Sequence, residues 1–463
     1  MSWTRHPLVL LACLLAGAAL GALSPLASTV AGLVGRLFGN LMEMAALPLL
    51  GMATVFGVRN LMALPHRRRR LALMLGAAAL ALWGCGLLGA FAAACAGLGR
   101  HLDENALRGL GQLVLQAGGA SGGDAFALLP NAAERAAEAA SGPERARFDN
   151  VFALLVQGNL PALVICAGVF GLALASLGRE RSRVLATQLE ALYRACEKLI
   201  ALAIHLLPLL ALGLAAQITA TVDAHTLALL AGPLLTLLGA GLVAMLLALA
   251  QICRVARCGP LRALAALKAP MFIALVAPSP VAAIPASIVA LSEKLGLARG
   301  ISELLVPAGT VLLRCGTALH AALVAVFVAG LYGQPLDAPM LATVGTLAAL
   351  ASLAPLPAGL AATSLLLGWL RLPGDALLPV LLLVDRLCVG PRQLVALFCL
   401  GAVVAHASAG LPSERREAGP SAASTPLCLS LSRATLGLAV GCVLLAAVLS
   451  IVVGVGVGLR VGG

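Results

Sequence analysis

Apolar runs of about 18 residues or more recur along this chain, and each is long enough to cross a bilayer core. A bilayer offers no water to backbone N–H and C=O groups, so such runs must fold as helices that satisfy them internally. Of the 463 residues, 61% are hydrophobic and only 11% charged, too little polar surface for a soluble domain of this length. The first run, residues 7–23, leads directly into a second, so it reads as helix 1 and not as a cleaved leader.

The net charge of +12 has its source in short loops between the runs. Arg67 to Arg70 form one cluster, and Arg179, Arg181 and Arg183 another. Arg254, Arg257, Arg262 and Lys268 form a third, Arg415 and Arg416 a fourth. Such loops face the cytoplasm by the positive-inside rule. The expectation is a multi-pass protein of the cell inner membrane with a cytoplasmic N-terminus, and no nucleic-acid partner. Residues 99–150 carry slightly more acid than base and read as an extracellular polar loop. Twelve cysteines, among them Cys13, Cys85, Cys166 and Cys442, are scattered through apolar segments without zinc-ligand or redox spacing. They read as small packing residues. Neither a metal-ligand cluster nor a nucleophile–base arrangement is expected, which argues against an enzyme.

The spans follow from run lengths. Helix 2 covers about residues 33–58, helix 3 71–98, helix 4 151–177 and helix 6 227–253. Helix 5 starts amphipathic, with Glu190 one turn before Arg194 and Arg194 one turn before Lys198, and is apolar over 199–216. Then the pattern changes. Residues 269–277 and 281–291 are short apolar arms around Pro278, Ser279 and Pro280. Residues 340–353 and 358–370 repeat the arrangement around Pro355 and Pro357. Arms of about a dozen residues are too short to span. They read as two re-entrant hairpins, and paired interrupted segments of this kind point to a transporter binding site. Between them helix 7, about 301–332, is interrupted at residues 313–317. Helix 8 covers about 375–406, a polar linker 408–430, and a further span 431–459.

Several stretches resemble the dicarboxylate/amino acid:cation symporters, the glutamate-transporter homologues. Residues 42–58, with Met44 four positions before Pro48, are similar. So is Gln157-Gly158-Asn159-Leu160 leading into Val169-Phe170-Gly171-Leu172-Ala173-Leu174-Ala175. The strongest stretch is Ile284-Pro285, Glu293-Lys294-Leu295-Gly296, Pro307-Ala308-Gly309 and Gly316-Thr317-Ala318-Leu319. The resemblance covers about residues 33–407. It implies an all-α, homotrimeric elevator fold of about eight transmembrane helices and two re-entrant hairpins, here with an additional C-terminal helix. Residues 1–70 and 151–217 would form the scaffold, and 71–98 with 226–407 the transport domain.

The resemblance also assigns roles. The family's helix 7 signature, Asn-Met-Asp-Gly-Thr, reads Leu313-Arg314-Cys315-Gly316-Thr317 here. Its Asn and Asp are sodium ligands, and hard cations need oxygen, which Leu313 and Cys315 lack. On helix 8 the family's amino-group-binding Asp falls on Val389, its Asn on Ala396 and its last Asp on Leu400. Helix 3 offers no Ser or Thr, and Ser279 alone remains of a serine-rich hairpin tip. A cation site made of backbone carbonyls near Val311, Ser352 and Leu353 survives such losses, so the expected coupling ion is Na+ or H+, with coupling reduced or altered.

Charged residues inside spans are costly and usually functional. Arg392 matches the position that binds an acidic side chain, and guanidinium pairs with carboxylate in bidentate fashion. Its alternative is an internal pair with Asp385. Thr317, Gly316, Asp385 and Ser279 complete the candidate substrate site. Arg314 stands as a fixed positive charge in place of the missing cation. Its alternatives are snorkelling to a water-filled cavity or pairing with Asp385. The expected substrate is a dicarboxylate, an acidic amino acid or a related organic anion. An anion channel derived from a carrier, and a non-transporting sensor or assembly subunit, are the competing functions.

Overall fold

The computed structural model describes residues 7–23, 44–59, 62, 67–100, 109, 111, 160–176, 179–204, 207–221, 230–276, 280–353, 358–372 and 377–409. The added C-terminal span and nearly all of the expected linker and of the 99–150 loop lie outside them, as do Pro278, Ser279, Pro355 and Pro357.

All regular elements among the described residues are helical. The helices are α1 (Pro7–Leu23), α2 (Met44–Arg59), α3 (Arg67–Cys95), α4 (Leu160–Ser176), α5 (Arg179–Ile204), α6 (Leu207–Thr221) and α7 (Ala231–Ala256). There follow α8 (Pro260–Val276), a 3-10 turn (Pro280–Ala283), α9 (Ile284–Val289) and a π-helical turn (Ala290–Lys294). The chain continues through α10 (Arg299–Leu312), α11 (Cys315–Leu331), α12 (Ala338–Ser352), α13 (Ala358–Trp369), α14 (Leu378–Leu387) and α15 (Val389–Ser408).

Leu71–Cys95, Ala231–Ala256, Arg299–Leu331 and Val389–Ser408 are long and apolar enough to cross a membrane. The helix α7 shows the lipid-facing pattern. Leu235, Leu238, Leu242 and Leu246 are exposed, while Leu237, Ala240, Gly241, Ala244 and Ala248 are buried. Four exposed leucines on one face and mostly small residues on the other suit a helix that faces lipid and packs closely inside.

Packing divides the contacts. The helix α1 lies along α6. The helices α3 and α7 pack with α11 and α15, and α12 and α13 pack on α11. The helices α8 and α10 rest against α15. Close approach depends on glycine. A Cβ on Gly89 would meet the Leu319 carbonyl of α11, and one on Gly86 the Gly345 carbonyl of α12. Trp83 Nε1 adds a hydrogen bond from α3 to Thr346 Oγ1 of α12, at 3.0 Å.

Three expected boundaries are corrected. Helix 3 begins at Arg67, because arginine is a good helix former. The helix expected to begin near residue 269 begins at Pro260, since proline suits the first position of a helix. Arg262 and Lys268 therefore lie on α8 and not in a loop. Helix 8 is two helices, α14 and α15, joined at Cys388. Pro391 has no N–H and its ring crowds the carbonyl four residues back, at Leu387, so a continuous helix is disfavoured there.

Candidate functional site

The interruption in helix 7 is narrower than expected. The helix α10 ends at Leu312, and Leu313 and Arg314 take non-helical ψ values of 68° and 53°. Cys315, Gly316 and Thr317 already belong to α11, whose first turn is closed by Thr317 N–H and Ala318 N–H donating to the Arg314 carbonyl, each at 3.0 Å. Pro307 and Gly309 sit inside the last turns of α10 and weaken it ahead of the break.

Gly316 binds this break to helix 8. A Cβ there would lie on the Arg392 carbonyl oxygen, with the carbonyl carbon 2.6 Å and the Cα 2.7 Å away. Only a residue without a side chain lets the start of α11 touch the backbone of α15 here. The glycine thus sets the helix contact that carries Arg392.

Arg392 and Asp385 flank the Cys388 joint, and both are buried. Arg392 Nη1 donates to Asp385 Oδ1 at 2.5 Å, and Nη2 donates to the Asp385 backbone carbonyl at 3.1 Å. That carbonyl belongs to the last turn of α14, where helical partners run out. The joint and the ion pair therefore support each other. The internal pair is the arrangement weighed above as the alternative to substrate binding. It uses two of the guanidinium's five donors.

His320 completes the cluster and was missed by sequence reasoning. It is 2% exposed on α11, with Nε2 3.7 Å from Asp385 Oδ1. Its Nδ1 has no hydrogen-bond partner among the described residues. A histidine within the apolar run Ala318–Ala325 was the available signal, because an ionisable residue in a span is a functional candidate by default.

Arg314 caps α11 without a side-chain capping bond and is half-buried, and Thr317 is half-buried one turn on. Val311 lies in the last turn of α10 and Ser352–Leu353 at the end of α12, so all three carbonyls belong to helix C-termini, where oxygens lack intrahelical donors. The Ser352 hydroxyl instead donates back to Ala349 O at 2.7 Å. The elements α10 and α12 share no extended contact.

Between α8, the 3-10 turn, α10 and α15 lies a cavity of about 20 Å³, lined by Gly309, Thr310, Gln393, Ala396 and Leu400 among others. That is room for about one water. Its wall is apolar where helix 8 carries Ala396 and Leu400. A larger cleft, about 290 Å³, opens where α2, α5 and α10 meet. Arg59, Arg194 and Arg299 face Glu190, Glu197 and Glu303 there. Two of these pairs close within their own helices, Arg194–Glu190 at 2.6 Å and Arg299–Glu303 at 2.7 Å. With its charges balanced, the cleft has no net pull on an anion.

Cys85, Cys315 and Cys399, which showed no ligand spacing in the sequence, meet inside the core. Chain spacing could not reveal it, since the three residues sit on α3, α11 and α15.

No curated protein matches the chain. The profile of the sodium:dicarboxylate symporter family matches residues 7–392, from the start of α1 to the arginine at the joint of helix 8. With apolar helices of spanning length and a family match over most of its length, this membrane protein belongs to the sodium:dicarboxylate symporter family.

Proposed function

We propose that the chain is a secondary active transporter that moves a dicarboxylate, an acidic amino acid or a related organic anion across the cell inner membrane. The observation that carries the reading is Arg392, a guanidinium buried at a helix joint inside a protein whose family couples sodium to dicarboxylates. Asp385 holds this charge in the absence of substrate, and the three remaining donors are available to an incoming carboxylate. Gly316 touches the backbone of Arg392 and Thr317 follows it on α11, and Ser279 is the further candidate contact outside the described residues.

The moving body in this reading is α3 with α7 to α15, and α1, α2 and α4 to α6 form a homotrimeric scaffold. The dense packing of α3 on α11, α12 and α15 supports that division, as does the separate pairing of α1 with α6. Coupling is reduced. Arg314 supplies a fixed charge at the break, and the helix-end carbonyls of Val311, Ser352 and Leu353 are the remaining oxygen ligands for Na+. The His320–Asp385 approach of 3.7 Å favours H+ as the second candidate ion, because paired His and Asp groups form proton relays in transporters.

Uptake and counterflow of labelled succinate and aspartate by proteoliposomes test the reading, with and without sodium and pH gradients. Saturable counterflow that falls at least tenfold in Arg392→Lys is expected, because lysine cannot reproduce the bidentate fork. Unchanged uptake in that variant removes Arg392 from the substrate site. Currents without counterflow identify a channel.

A further inference from the structure

Three thiols on three helices converge where α11 begins. Cys85 lies in the middle of α3, Cys315 is the first residue of α11, and Cys399 lies in α15. The Sγ atoms of Cys85 and Cys399 are 3.7 Å apart, and all three sulfurs lie within 4.8 Å of one another. The side chains are 6%, 0% and 5% exposed. We propose that Cys85, Cys315 and Cys399 bind a soft, closed-shell monovalent metal ion, Cu(I), in a three-coordinate thiolate site.

Small size explains a buried cysteine singly. It does not explain why three sulfurs from remote parts of the chain share one point. A metal bonded to three sulfurs at about 2.3 Å in a plane sets the sulfur–sulfur edges at about 4.0 Å. The Cys85–Cys399 edge of 3.7 Å and the 4.8 Å limit on all three edges are compatible with that value. A disulfide requires about 2.05 Å, and all three cysteines are free thiols. The donor set is sulfur alone, which selects soft ions over sodium, magnesium or calcium. Structural zinc takes four ligands, and among the described residues the group holds three. Cu(I) is satisfied by three.

Each ligating thiol gives up its proton on binding, and the metal keeps its oxidation state. The charge left behind is stabilised locally. Cys315 occupies the first position of the 17-residue α11, where the helix dipole favours an anion. Arg314 precedes it at the cap. A bound ion would fasten α3, α11 and α15 together beside the break, independently of which anion the protein carries.

The test is an anaerobic titration of the reduced, full-length protein in detergent with Cu(I), against a chromophoric Cu(I) chelator. One ion per chain is expected to be retained, with affinity falling at least a hundredfold in Cys315→Ser and unchanged in Cys166→Ser. X-ray absorption on the wild-type protein, which depends on no variant folding, should show three sulfur neighbours at about 2.3 Å. Retention undiminished in Cys315→Ser, two sulfur neighbours instead of three, or complete loss of copper to the chelator would each overturn the proposal.

Discussion

Replacing Asp385 by asparagine keeps the shape of the side chain and removes its charge. Arg392 is 8% exposed and Asp385 7% exposed, so water cannot replace the lost carboxylate. The guanidinium keeps its bond to the Asp385 backbone carbonyl at 3.1 Å and loses its ionic partner at 2.5 Å. Breaking a buried pair by removing one partner costs about 3–5 kcal/mol, since the other charge is left uncompensated. At about 2 °C per kcal/mol for a chain of some size, the apparent melting temperature in detergent should fall by several degrees. The double variant Asp385→Asn/Arg392→Gln removes both charges and should recover much of the loss. Organic acids extend the test. If Arg392 takes carboxylate, succinate at about a hundred times its Kd should restore about 2.7 kcal/mol to Asp385→Asn, and nothing to the double variant. A single variant that melts with the wild type would refute the reasoning, because the charge would then be solvated or compensated elsewhere.

Gly316→Ala places a methyl group on the Arg392 carbonyl and should destabilise by about 1–3 kcal/mol while cutting uptake. Gly239→Ala, on α7 with nothing within 4 Å, should be neutral or slightly stabilising in the same melts. Arg314→Gln removes the fixed charge at the helix break. If that charge stands in for a cation, sodium-free uptake in proteoliposomes should fall at least tenfold, and equal rates in variant and wild type would dismiss the role. Trp83→Phe deletes the hydrogen bond to Thr346 and should cost about 1 kcal/mol, read as a lower melting temperature with substrate affinity unchanged.

Much of the fold is legible in the sequence because a bilayer makes length and polarity decisive. The first helix has the bounds its apolar run predicts, Pro7–Leu23. The break in helix 7 follows from a charged residue and a glycine inside an apolar run. Where reading failed, local chemistry had been judged by polarity alone. Arg262 and Lys268 are compatible with helix, and a proline at position 260 starts one. The Gly390-Pro391 pair in helix 8 was the available signal for the Cys388 joint.

The candidate site divides in the same way. Arg392, Asp385 and Arg314 stand out in sequence because charge is expensive in a span. Their relations do not. Whether Arg392 faces a neighbour or a ligand depends on how α14 turns into α15, and the pair with Asp385 exists because that joint places the guanidinium over the last turn of α14.

Run length, loop charge and proline placement by themselves determined a membrane protein of interrupted helices, since each acts within one segment against one solvent. Tertiary structure alone decided which side chains meet. His320 reaches Asp385 across two helices, and Cys85, Cys315 and Cys399 gather from positions up to 314 residues apart. Such meetings depend on how closely backbones approach, and that is set by glycines such as Gly316, whose role only the packed neighbour reveals.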